Sequence, residues 1–203
     1  MEQHDNQIIL RGDLQALPVF SHENHGRQFC RFFLEVPRLS GAVDTLPVVA
    51  RQELLDSLPL QEGMRLTVRG QIRSHNHTDE TGRHLMIFDF AAEVRAEDGE
   101  PLNEAIVSVL LCREPTFRRT PLGREICDAM LAVPRSFRRA DYLPCILWGR
   151  TAQEISRCRT RDRVLIEGRL QSRIYTKYLD DTPIERTAYE LSALTAREIP
   201  AQT

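Results

Sequence analysis

The sequence predicts an all-β protein built from two copies of one five-stranded unit, and three observations carry that prediction. The first is self-similarity. Shifted by 97 positions, the chain aligns Asn6 with Asn103, Pro18 with Pro115, Phe20 with Phe117, Gly26-Arg27 with Gly123-Arg124 and Cys30 with Cys127. Val36-Pro37-Arg38 falls on Val133-Pro134-Arg135, and Leu46-Pro47 on Leu143-Pro144. Over residues 6–49, 15 of 44 pairs are identical, where unrelated sequences of average composition would share about 3. A period this long is a tandem domain duplication rather than a solenoid repeat. The second observation is that apolar residues recur at alternate positions or in short runs, as strands require. The third is size and composition. The 203 residues, 41% apolar, suit one domain or two small ones and are too apolar for a disordered chain.

In the first copy, strands are expected near 6–17, 28–38, 45–50, 65–74 and 84–94. In the second they are expected near 103–112, 125–135, 142–148, 162–175 and 187–199. Alternation in the second strand of copy two puts Cys127, Ala129, Leu131 and Val133 on one face, for burial. Ile126, Asp128 and Met130 take the other face, which is left available. Between the third and fourth strands of each copy lies a stretch with helical spacing, Arg51-Gln-Glu-Leu-Leu-Asp-Ser-Leu and Arg150-Thr-Ala-Gln-Glu-Ile-Ser-Arg. Leu54, Leu55 and Leu58 form one apolar stripe there, and Gly63 ends the first helical region. Further on, Arg65-x4-Gly70-x3-Ser74 matches Arg163-x4-Gly168-x3-Ser172, and Glu93-Val94 falls on Glu198-Ile199. The offset has then grown to about 105, which predicts a loop about seven residues longer in the second copy. The join, Arg95-Ala-Glu-Asp-Gly-Glu-Pro-Leu102, is polar with Gly and Pro, as a linker should be.

Five strands with a helix between the third and fourth is the arrangement of an OB-fold barrel. Such barrels bind single-stranded nucleic acid or sugars on the strand 2–3 face and the 1–2 and 4–5 loops. The expected architecture is two tandem OB-fold five-stranded barrels, at 1–96 and 103–203, joined by a linker at 97–102.

Charge divides the same way. Residues 1–102 carry 10 Arg against 16 Asp and Glu, whereas residues 103–203 carry 16 Arg and one Lys against 13. The overall charge of −2 therefore hides an acidic half and a basic half, and such asymmetry can mark a nucleic-acid-binding half. Cys30, Cys112, Cys127, Cys145 and Cys158 are odd in number with no Cys-x-x-Cys spacing. Reduced, mostly buried thiols are expected rather than a disulfide scaffold or zinc ribbon. His75, His77, Asp79, Glu80 and His84 form a polar hairpin tip, which reads as a solvated turn rather than a metal site. No phosphate-binding loop or nucleophile elbow occurs, and no nucleophile–base pair can be assigned, so neither catalysis nor a cofactor is expected. The longest apolar run, Ala105 to Cys112 with one serine, is far below the roughly 20 residues of a membrane helix. The acidic start, Met-Glu-Gln-His-Asp, lacks a secretory pattern. A cytoplasmic, nucleoid-associated location is the expectation, with no membrane partner.

The second copy contains Thr120-Pro-Leu-Gly-Arg-Glu-Ile-Cys-Asp-Ala-Met-Leu-Ala-Val-Pro-Arg135, Tyr142-Leu-Pro-Cys-Ile-Leu-Trp-Gly-Arg150 and Glu167-Gly-Arg-Leu-Gln-Ser-Arg-Ile-Tyr175. These segments resemble the bacterial single-stranded DNA-binding protein family, over roughly 103–199 directly and over 6–94 through the repeat. The resemblance implies four base-stacking positions, Phe137, Tyr142, Trp148 and Tyr175. Stacking on an aromatic ring is worth roughly 1–3 kcal/mol per base and tolerates any sequence. A loose alternation sets Tyr142 and Trp148 on differing faces of the third strand. Around them Arg118, Arg119, Arg124, Arg135, Arg138, Arg139, Arg173 and Lys177 supply a basic track for phosphates. Opposite the four aromatics the first copy has Ser40, Thr45, Arg51 and His77, so weak or no DNA binding is expected of it. Phe29 and Phe33, with Arg31 between them on the outward side, offer either a substitute platform or an interface.

The resemblance further implies an assembly of four barrels, which two chains of this kind would supply as a homodimer. It also brings a Gly/Pro/Gln-rich tail with an acidic Pro-Phe tip. The present sequence stops at Ala196-Arg-Glu-Ile-Pro-Ala-Gln-Thr203, so tail-mediated recruitment of repair proteins is not expected. The function read from the sequence is binding of single-stranded DNA in replication, recombination or repair. Two alternatives stay open at this point: an OB-fold interaction and assembly module, and binding to RNA or to a primosome partner.

Overall fold

The computed structural model describes residues 6–79, 82–135, 139–179 and 182–200. The described residues are mostly strand. They form β1 (Asn6–Leu14), β2 (Val19–Asn24), β3 (Arg27–Pro37), β4 (Val43–Arg51), β5 (Arg65–Asp79) and β6 (Gly82–Ala96) in the first repeat. The second repeat forms β7 (Leu102–Leu111), β8 (Thr116–Arg119), β9 (Glu125–Arg135), β10 (Arg139–Trp148), α1 (Gly149–Ile155), β11 (Arg163–Leu179) and β12 (Thr182–Ile199). The chain divides into two compact units. One comprises residues 7–73 and 88–104; the other comprises 105–203 with residues 74–87 and the N-terminal six. The outer half of the β5–β6 hairpin thus belongs to the unit of the second repeat.

In the unit of the first repeat, β1 pairs with β5 from Ile8↔Gly70 to Asp13↔Arg65 and with β3 at Leu14↔Leu34. Strand β3 pairs with β4, and β4 runs parallel to β6 at Val48↔Asp89. Since β6 neighbours β5, the succession of pairings returns to β1. Alternation decides what goes inside. Ile8, Leu10 and Leu14 of β1 join Leu34, Leu46, Leu66 and Ile72 in a core at or below 1% exposure, which stabilises each such side chain by roughly 1.5–3 kcal/mol. The other unit repeats the order, with β7, β11, β12, β10 and β9 in succession and β9 returning to β7. Its core includes Val107, Leu111, Leu131, Leu143, Leu147 and Leu170. Cys127, Ala129, Leu131 and Val133 all point inward, as alternation predicts.

The structure departs from the sequence reading in three places. Helical spacing in the first repeat yields a three-residue 3₁₀ turn, Gln52–Leu54, rather than a helix. The stretch closes at Pro59, which cannot continue a helix. In the second repeat α1 does form, burying Ala152 and Ile155. Second, the extra residues of copy two do not make a longer loop; they lengthen β11 and β12 to 17 and 18 residues, against 15 each for β5 and β6. Third, β2 and β8 were not expected. Both are exposed along their whole length, so neither carries the apolar alternation by which a strand is read.

The glycine kept in both repeats has a packing reason. A Cβ on Gly168 would lie 2.2 Å from the Ser192 carbonyl oxygen, and one on Gly70 would lie 2.4 Å from that of Phe90. The arginine kept five residues earlier reaches across to β1 or its equivalent. Arg65 makes paired bonds of 2.7 and 2.8 Å to Asp13, and Arg163 donates to Ser108 Oγ at 3.1 Å.

Candidate nucleic-acid interface

The described interface candidates lie on β8, β9, β10 and β11 of the second repeat, with Arg124 in the turn between β8 and β9. Strand β10 alternates strictly: Asp141, Leu143, Cys145 and Leu147 are buried, while Tyr142 and Trp148 are 45% and 39% exposed. Tyr142, Pro144, Ile146 and Trp148 therefore share one outward face. This corrects the expectation that the two rings point apart, because Pro144 interrupts the apolar pattern without breaking the alternation. Six residues of strand separate the rings by about 20 Å. Trp148 is the last residue of β10, and Gly149, at φ 55°, turns the chain into α1. That left-handed turn is why a glycine follows the tryptophan.

Register completes the face. Ile126 is paired with Trp148 on one side and Arg118 on the other, so Arg118, Ile126 and Trp148 form one row across three strands. Ile126 is 2% exposed beneath its neighbours. The next row is Thr116, Asp128 and Ile146, and Tyr142 pairs with Ala132 further along. Tyr175, half-buried on β11, carries the Arg173 guanidinium 5.7 Å from its ring centre. Lys177 follows two residues later on the same side of the strand.

The basic track has acidic partners that sequence reasoning overlooked. Arg118 donates from Nε to Asp128 Oδ2 at 2.5 Å, and this bond raises its pKa above the usual arginine value. Arg119 pairs with Glu125 at 2.7 Å. Hydrogen bonds from Gln153 and Arg119 hold the Glu125 carboxyl below its usual range. Arg135 lies 3.4 Å from Asp141. Arg124 and Arg139 are exposed, and Arg139 sits directly across from Arg135. Phe137 and Arg138 fall outside the described residues. Three exposed apolar side chains were also missed: Phe117 at 40%, and Ile174 and Tyr178 on β11 at 68% and 70%. A ring followed by an arginine doublet was the available signal for Phe117.

The first repeat builds the corresponding row differently. Phe29 on β3 pairs with Arg51, which holds the place of Trp148, and with His22 on β2. The His22 ring stacks on Phe29 at 4.7 Å and 3°, Phe90 packs against Phe29 at 5.8 Å, and Arg73 lies over Phe90 at 5.9 Å. Phe29 is thereby 7% exposed. It faces outward, but its own neighbours cover it, so the open Phe29–Phe33 platform considered from the sequence does not form. Among the described residues no cluster of three metal-ligating side chains occurs, and no helix is long and apolar enough to cross a membrane. Cys30, Cys127, Cys145 and Cys158 are buried, Cys112 is exposed, and all five are free thiols.

With the site described, comparison with known proteins decides the family. The pattern of the Single-strand binding protein family matches residues 102–197. Single-stranded DNA-binding protein B of Bacillus subtilis is 34% identical over 80 residues, covering 36% of this chain and 71% of that protein. The chain belongs to the single-strand binding protein family. Single-stranded DNA-binding protein A of the same organism is 32% identical over 81 residues, again 36% of this chain. This chain spans 47% of that relative, about half its length. The fold is like that of the wild-type single-stranded DNA binding protein from Thermus aquaticus. The TM-score is 0.75 at 23% identity, over 98% of this chain and 96% of that one.

Proposed function

We propose that this chain binds single-stranded DNA without strong sequence preference, through two tandem OB barrels at 1–96 and 103–203 joined at 97–102. The observation that carries the reading is the outward face of β8–β10. It holds Tyr142 and Trp148 half-exposed on one side of a strand, with Arg118 in the tryptophan's own row. Bases stack on the rings, whose π-faces accept any base. Phosphates run along Arg118, Arg119, Arg124, Arg135, Arg138, Arg139, Arg173 and Lys177, releasing counterions as they bind. Phe137 and Tyr175 complete the stacking set. Family membership and the relatives' names support the ligand class, and the chain acts on strands exposed in replication, recombination or repair. A homodimer brings four such barrels together.

The test is Trp148→Ala, titrated with labelled oligo-dT. The expected loss is about 1–3 kcal/mol of affinity with an unchanged melting temperature. Unaltered affinity would remove Trp148 from the interface. No affinity for DNA or RNA in the parent protein would leave an interaction module as the working alternative.

A further inference from the structure

The β5–β6 hairpin is encoded in the first repeat, yet its residues 74–87 belong to the compact unit of the second. There Ser74 meets β10 at the candidate stacking residue. Its backbone N–H donates to Asp141 Oδ1 at 3.0 Å, and its hydroxyl donates to the same oxygen at 3.3 Å. The hydroxyl oxygen in turn accepts the Tyr142 backbone N–H at 3.0 Å. Asp141 is 2% exposed, so its carboxylate must find its partners inside the protein. Tyr142 itself is exposed, and Ser74 rather than solvent takes its N–H. Strand β10 pairs with β9 along its length but with β12 only at Cys145 and Ile146, and Tyr142 lies beyond that contact.

The repeat sharpens the point. Asp44 and Arg38 are the first-copy equivalents of Asp141 and Arg135. Arg38 grips Asp44 with two bonds, at 2.7 and 2.5 Å, and its side chain is 21% exposed. Arg135 reaches Asp141 through one contact at 3.4 Å, and its side chain is 40% exposed. With Ser74 on the carboxylate, the arginine next to the stacking face is held more loosely and turned further toward solvent.

We propose that Ser74 is a positioning residue for DNA binding: by joining the Tyr142 backbone to the buried Asp141 carboxylate, it fixes the Tyr142 ring for stacking and leaves Arg135 open to phosphate. This rests on the reading of Tyr142 as a stacking residue. It gives the first repeat a part in binding without stacking residues of its own at the family's positions.

The experiment is a double-mutant cycle on the full chain with labelled oligo-dT, using Ser74→Ala, Tyr142→Ala and both together. Ser74→Ala in a Trp148→Ala background serves as the control. Ser74→Ala is expected to weaken binding about three- to tenfold. It should cost clearly less once Tyr142 is alanine, the remainder being the share carried by Arg135, but keep its full effect beside Trp148→Ala. Ser74→Thr, which retains the hydroxyl, should bind like the parent. An effect of Ser74→Ala that is equal in the Tyr142→Ala and Trp148→Ala backgrounds would overturn the positioning role. So would unchanged affinity of Ser74→Ala where Tyr142→Ala weakens binding. If Tyr142→Ala itself binds like the parent, the stacking reading fails and the inference falls with it. Should Ser74→Ala not fold, Ser74→Cys, which keeps the side-chain size but has only a weak donor and acceptor, is read against the same outcomes.

Discussion

Asp128 decides how much of the basic face is available to a phosphate. Its carboxylate sits on the outward side of β9 and holds Arg118 in the row of Trp148. The pair is half-exposed, so its own contribution to stability is small, at most about 1 kcal/mol. Its effect on DNA should be larger, because it places a negative charge where a phosphate would come. Asp128→Asn is therefore expected to tighten oligo-dT binding and to steepen its salt dependence by about one released ion. Titrations at several salt concentrations check this. Asp89 is a residue-scale feature of a different kind. It is fully buried, and neither carboxylate oxygen has a hydrogen-bond partner. Burial pushes its pKa well above the usual carboxylate range. The folded protein thus keeps a proton that the unfolded chain releases near pH 3.9. Stability should fall as pH rises from that value toward the raised pKa, and stay low above it. Asp89→Asn should match the parent at acid pH and exceed it by about 1–3 kcal/mol at neutral pH, as measured by urea unfolding at both. The stacking candidates Tyr142 and Trp148 were legible through the family's spacing. Asp128, Glu125 and Asp141 were not, because each meets its arginine across a hairpin, six to ten residues away, and which residues face each other there depends on register.

At the scale of elements, what repeats was legible and what does not repeat was hard to read. Gly70 and Gly168 stand out in the self-comparison, and the structure gives the reason: each lies against the backbone of the neighbouring strand. At Gly168 the register of β11 against β12 also slips by one residue, as a bulge requires. Gly168→Ala should force the two strands apart at Ser192 and cost about 1–3 kcal/mol, seen as a lower melting temperature. Strands β2 and β8 escaped notice because they bury nothing; they are held by pairing with β3 and β9 alone. Helical spacing at 51–58 was real but insufficient. Leu55 is buried there at 4%, yet a turn suffices to bury it, while α1 has both Ala152 and Ile155 to place.

For the whole molecule, duplication followed by divergence accounts for the division of charge and aromatics. The second repeat keeps open rings on its outward face. The first fills the equivalent row with its own His22–Phe29–Phe90 ladder and gives Ser74 to the other unit. If two chains combine to present four barrels, light scattering should give twice the chain's 23.4 kDa, and a monomer mass would contradict that assembly. The central claim is that DNA stacks on the second repeat, and the chain's single tryptophan, Trp148, reports on it without a label. The most direct measurement is its fluorescence during titration with oligo-dT at low and moderate salt. Saturable quenching that weakens as salt rises is the predicted result. Binding without quenching, or no binding at low salt, would contradict it.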